Sequence, residues 1–145
     1  MKKFLQKKLN DKGLTLVELL AVIVILGIIA AIAVPAIGNI IANSKVNALK
    51  ADGQNVLSAA QMYFTEKGGA SVTQKDLIDN GFLEDAGGFA ATGATAATVT
   101  KVDGGNTITG KAVTKGVSVS FGGATSKDIT EADVKATTGK VIVTR

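Results

Sequence analysis

The sequence predicts an α+β chain: one long N-terminal α-helix, apolar all round in its first half and amphipathic in its second, packed on a small antiparallel β-sheet head. Three observations predict it. An apolar run broken by a single charge extends from Leu14 to Ser44. A stripe of apolar residues at helical spacing follows it through Phe64. Beyond Gly68-Gly69 the chain turns to short β-like runs separated by glycine turns.

The chain opens on a basic leader. Lys2, Lys3, Lys7, Lys8 and Lys12 stand against Asp11, which accounts for the whole net charge of +4. From Leu14 onward eleven basic and eleven acidic residues cancel. Excess charge confined to one flank of an apolar run is a topological signal, because positive flanks stay cytoplasmic when such a run inserts.

The run itself, LLAVIVILGIIAAIAVPAIGNIIAN over residues 19–43, spans about 36 Å as a helix rising about 1.5 Å per residue. A hydrocarbon core is about 30 Å thick. The run therefore predicts a single membrane span, leader inside and C-terminal body outside. A cleaved secretory signal with Ala31-Ile32-Ala33 as its site does not explain the acid Glu18 at the start of the run. A plain single-span anchor explains the span but not Glu18 or its neighbours.

Past Asn43, Val46, Leu49, Val56, Leu57, Ala60 and Phe64 recur at spacings of one helix face. Lys45, Lys50, Asp52 and Gln54 fall largely off that face. One helix from Leu14 to about Glu66, stopped by Gly68-Gly69, follows. Gly53 weakens it without ending it. An exposed Asp52 off the stripe is expected to contribute less than about 0.5 kcal/mol.

The remainder reads as a small head. Thr73–Asn80 predicts a short helix capped by Ser71 or Thr73 and closed by Gly81. Strands are expected over 98–102, 107–113, 117–121 and 140–144, in an antiparallel sheet of three or four strands. Asp103-Gly104-Gly105-Asn106 and Lys115-Gly116 supply the hairpin turns. Thr130–Lys135 is read as one helical turn or a loop.

Composition narrows the chemistry. At 145 residues there is room for one modest domain beside the span. There is no cysteine, histidine or tryptophan, so disulfides, imidazole bases and His or Cys metal ligands are excluded. No nucleophile–base pair and no phosphate-cradling glycine motif is present. An enzyme is not expected, and no catalytic residue, cofactor or metal is assigned. Asp76, Asp79, Glu84 and Asp85 are hard oxygen ligands of the kind calcium takes, but they lack loop spacing and read better as a solvated acidic face. Residues 97–145 hold seven basic and four acidic residues, enough for weak contact with DNA phosphates. Lacking aromatic interleaving, they read better as ordinary surface.

The informative run is Lys12-Gly13-Leu14-Thr15-Leu16-Val17-Glu18-Leu19-Leu20. With the basic leader before it and the span after it, this run resembles the type IV prepilin signature. The resemblance covers residues 1–43, and Leu14 departs from the phenylalanine most common there. It implies that residues 1–13 are a leader removed by a prepilin peptidase between Gly13 and Leu14, with N-methylation of the new Leu14 amine. Residues 14–44 would be a transmembrane and filament-core helix, and residues 45–145 the head, including the second half of the long helix. Glu18 would pair with the Leu14 amine of a neighbouring copy during assembly. Pro35 and Gly38 would mark local helix melting in the filament, although proline chemistry allows a simple kink equally well.

The implied partners are further copies of the chain, the peptidase, a cytoplasmic assembly ATPase with its membrane platform, and membrane lipid before assembly. The implied location is the cytoplasmic membrane first and an extracellular filament afterwards. The alternatives are a pseudopilin of a type II secretion or competence DNA-uptake system, and a monomeric membrane-anchored adhesin.

Overall fold

The structure is a computed structural model that describes residues 2–133 and 140–145, with side chains described from Thr15 onward. The elements in chain order are α1 (Lys2–Glu66), β1 (Ser71–Thr73), α2 (Gln74–Asp79), β2 (Thr98–Thr100), β3 (Thr107–Thr114), β4 (Val117–Ala124), α3 (Ser126–Glu131) and β5 (Lys140–Thr144). Two compact units divide the chain, Met1–Gly38 and Asn39–Arg145.

In the first unit α1 begins at Lys2, twelve residues before the expected start at Leu14. The leader holds five lysines, two leucines and one glutamine, which favour helix, and Gly13 costs only about 1 kcal/mol there. A charge step therefore does not interrupt a helix. Pro35 lies inside α1.

In the second unit α1 supplies one wall of the core. Val46, Leu49, Val56, Leu57, Ala60 and Phe64 are all buried, as the stripe predicts, and Ala59 joins them. Gly53 is buried on the same face. A Cβ built there would lie 2.7 Å from Cζ of Phe121. The glycine thus lets the β4 ring rest on the helix backbone, and the Phe89 ring lies 5.5 Å from that of Phe121. The helix ends at Glu66, and Gly68 and Gly69 take positive φ values of 75° and 105°, which suit glycine.

The sheet forms the other wall in the order β1-β2-β3-β4-β5. It has five strands and is mixed, where three or four antiparallel strands are expected. β1 to β4 pair antiparallel, but β5 pairs with β4 in parallel. The reason is the connection. The segment between Ala124 and Lys140 carries α3, and a crossover of a dozen or more residues with a helix returns the chain to run parallel. The additional strand, β1, is only three residues long and pairs Val72 with Val99. Alternation in β4 buries Val117, Val119 and Phe121, and in β5 Val141 and Val143. Between β3 and β4 the register skips Gly123, whose φ is +78°.

Both short helices carry reciprocal caps. The Thr73 hydroxyl accepts from the Asp76 amide, and the Asp76 carboxylate accepts from Thr73. Thr125 and Asp128 repeat the arrangement at α3. Of the segment 130–135, read as one helical turn or a loop, Thr130 and Glu131 close α3 (Ser126–Glu131), and Val134 and Lys135 lie outside the described residues. Leu77 and Ile129, both fully buried, plug the two helices into the core.

Candidate functional site

The site residues expected from the sequence all lie on the first unit of α1. Gly13 and Leu14 belong to its backbone, and their side chains lie outside the described residues. Glu18 is exposed and, with Thr15, Leu19 and Val22, lines a shallow recess of about 390 Å³. Sixteen large apolar side chains between Leu16 and Ile41 are 49–70% exposed. Glu18 is the one charge among them. The two ion pairs among the described residues, Lys75–Asp79 and Lys127–Glu131, do not involve it. A Cβ at Gly27 or Gly38 would meet nothing within 4 Å.

Such a surface is stable only in an apolar medium or against like surfaces. Full burial of each Leu, Ile or Val side chain is worth about 1.5–3 kcal/mol. By length and composition α1 can cross a membrane. A carboxylate on that surface is costly unless protonated or paired, and Glu18 is the one charged group there.

The head half of α1 behaves differently. Five of its polar residues reach across to the head. Lys45 Nζ donates to the Lys115 carbonyl at 3.0 Å, and Lys50 Nζ to the Ala132 carbonyl at 2.9 Å. Gln54 Nε2 donates to Thr130 Oγ1 at 2.9 Å, and Asn106 Nδ2 donates to Gln61 Oε1 at 2.7 Å. Asp52 Oδ2 accepts from the Gly88 amide at 2.8 Å. In turn the Gly88 carbonyl accepts from the Val113 amide at 2.7 Å.

Asp52 therefore ties the loop before Phe89 to the helix, a role that its position off the apolar stripe does not suggest. The missed signal is glycine: a Cβ at Gly88 would lie 2.3 Å from Leu49 Cδ2, so Leu49 would have to shift to admit one. The acids read as a solvated face are each occupied locally or exposed. Asp76 caps α2, Asp79 pairs with Lys75, Asp85 accepts from the Gly87 amide, and Glu84 is exposed. Among the described residues no group of three or more acids is placed to hold a metal ion.

Residues 8–34 match the family model described as the prokaryotic N-terminal methylation motif. The chain carries a type IV pilin-like signature. The matched stretch takes in Gly13, Leu14, Glu18 and most of the exposed apolar surface. It supports a type IV pilin-like protein processed by a prepilin peptidase, of a kind that is structural and generally non-enzymatic. An apolar N-terminal helix bearing this motif fits a membrane-anchored precursor that later joins a surface filament. No curated protein and no solved structure matched the chain.

Proposed function

We propose that this chain is the structural subunit of a type IV pilus-like extracellular filament. The observation that carries the proposal is a lone carboxylate, Glu18, one helical turn beyond Gly13-Leu14 on a helix surface where Thr15 and Asn39 are the only other polar side chains from Thr15 through Ile41. A prepilin peptidase cuts between Gly13 and Leu14, and the leader over 1–13 leaves with its five lysines. The Leu14 amine is then N-methylated. Residues 14–44 span the membrane and later form the filament core, while 45–145 form the outer head. Glu18 pairs with the Leu14 amine of a neighbouring copy, and the pair sets register more than it adds net stability. Because lipid is as apolar as the bundle, leaving it needs external work, supplied by an assembly ATPase and its membrane platform. Pro35 and Gly38 give the core helix a place to bend or locally unwind as copies pack.

The test is direct. Sheared surface material is examined by electron microscopy, and its subunits by intact mass and N-terminal sequencing. The proposal expects fibres whose subunits begin at Leu14. It also expects Gly13→Val to block cutting and Glu18→Ala to allow cutting but stop assembly. A cut after Ala33, or none, defeats it. Correct cutting with loss of secretion or DNA uptake, and no visible fibres, moves the chain to the pseudopilin role.

A further inference from the structure

Two patches on the head match each other in chemistry. The first is the outer face of the sheet. Pairing sets Lys111 beside Ser120 and Ser120 beside Ile142; the next row sets Val113 beside Ser118 and Ser118 beside Lys140. Alternation turns these residues away from the buried Ala112, Val119 and Val141. Ile142 is 62% exposed and Val113 51%. No strand of the sheet contains an aspartate or glutamate. Lys111 and Lys140 thus stand at two opposite corners of the patch, Ile142 and Val113 at the other two, and Ser118 and Ser120 between them, on a face whose strands carry no acids.

The second patch is a recess of about 320 Å³ beside α1, lined among others by Asp52, Val56, Phe82, Leu83, Glu84 and Asp85. Phe82 and Leu83 are half-buried and pack against the core, so they form an apolar floor. Glu84 and Asp85 are exposed at the rim, and among the described residues no basic one lines the recess. Asp52 and Asp85 each use an oxygen on a loop amide, Gly88 and Gly87 respectively. A carboxylate has about four acceptor sites, so each keeps free capacity.

We propose that the outer sheet face of one copy docks on the recess of the next, with Ile142 and Val113 facing Phe82 and Leu83, and Lys111 and Lys140 facing Glu84 and Asp85. The inference rests on the filament reading and adds the head contact to it. The two patches differ, so the contact is heterologous, and a heterologous contact that does not close into a ring propagates a helix. Its strength is limited. Stable interfaces bury about 1,200 Å² or more, beyond the reach of two exposed apolar side chains. The contact therefore acts where α1 already holds copies at high effective concentration. Its charges set register and orientation rather than raw affinity.

The experiment uses the full-length chain. Lys111→Glu with Lys140→Glu, and separately Glu84→Lys with Asp85→Lys, are each expected to lower the yield of sheared fibres several-fold. Combining all four in one chain is expected to restore it, because the contact is re-formed with its signs exchanged. Glu84, Asp85 and Lys140 are exposed and Lys111 is half-buried, so thermal melts are expected to stay close to wild type. The absence of cysteine permits a second measurement. Fibres of the Ile142→Cys, Leu83→Cys double variant, treated with a mild thiol oxidant, are expected to yield a covalent ladder beyond dimers on non-reducing gels, and neither single variant does. Normal fibres from both reversal pairs, no rescue by the combination, or no ladder overturns this contact while wild-type fibres leave the filament reading standing. A wild-type chain that is correctly cut but forms no fibres overturns both.

Discussion

The two halves of α1 share a backbone conformation and differ in what their side chains need. From Leu16 to Ile41 sixteen large apolar side chains are exposed around the helix. From Val46 to Phe64 the apolar side chains are buried on one face, and Lys45, Lys50, Asp52, Gln54 and Gln61 each bond to the head. Apolar content alone does not separate the two, since both are rich in it. The polar residues do. Where they recur at helical spacing, the chain's own head covers the apolar face. Where Glu18 is the one polar group that carries charge, the surface is left for lipid or for other copies.

The comparison breaks most readily at Leu57. In the fragment 45–145, expected to be a soluble monomer with mixed α and β circular dichroism, Leu57→Asp buries an unpaired charge under the sheet. The cost is on the order of 4 kcal/mol, enough to unfold the fragment. Leu26→Asp in the detergent-solubilised full chain leaves the melt of the head unchanged, because Leu26 is exposed. Equal losses from the two changes would mean that the halves are not distinct.

Glycine sharpens the contrast within one helix. Gly53→Ala drives a Cβ into the Phe121 ring. Overpacking of this kind costs about 1–3 kcal/mol, and the better helix propensity of alanine returns about 1 kcal/mol of it. A net loss of about 1 kcal/mol is expected in a denaturant melt. Gly38→Ala meets open space and is expected to keep or raise the helicity of detergent-solubilised chain by circular dichroism. A gain in stability at Gly53 would show that the Phe121 ring is free to move.

Asp52→Ala removes the acceptor for the Gly88 amide. A hydrogen bond to a charged group is worth about 1.5–3 kcal/mol where buried. Asp52 is half-buried, so a loss of about 1–2 kcal/mol is expected, above the 0.5 kcal/mol scale of an ordinary surface position. A thermal melt of the fragment decides between them, with Asn47→Ala at an exposed position of the same helix as the control.

The smallest effect is at the α3 cap. The hydroxyl of Thr125, and after it the Thr125 backbone amide, hold the Asp128 carboxyl below its ordinary value. A carboxylate with a lowered pKa binds its proton more weakly folded than unfolded. Its contribution to stability is complete above the ordinary carboxylate range and is lost as pH falls through the lower folded value. The melting temperature of the head is therefore expected to fall in acid. Thr125→Ala removes the larger cause, so its melt lies below wild type at neutral pH, and the gap narrows on acidification. A gap that stays constant with pH would assign the effect to packing of the Thr125 methyl group.

The sequence by itself determined the local features, because each is written in a repeat or a short motif. The apolar span, the stripe through Phe64, the stop at Gly68-Gly69, a cap at Ser71 or Thr73 and the hairpin turns all depend on residues within a few positions of one another. Even there, two local signals were readable and went unread. Gly53 falls on the stripe between Leu49 and Val56, where a missing side chain marks a close approach. Thr125-Ser126-Lys127-Asp128 has the spacing of the cap that starts α3.

Only the tertiary structure decided the rest. β1 is three residues long and has too little periodicity to be seen; it is a strand because Val99 pairs with Val72. β5 runs parallel because the α3 crossover carries the chain back, and alternation in Lys140–Thr144 is the same for either direction. Asp52 holds the loop because folding brings Gly88 to it across 36 positions of chain. Periodicity reports which face of an element is apolar. It carries no record of which distant residue will meet a polar one, since that depends on how the elements stack.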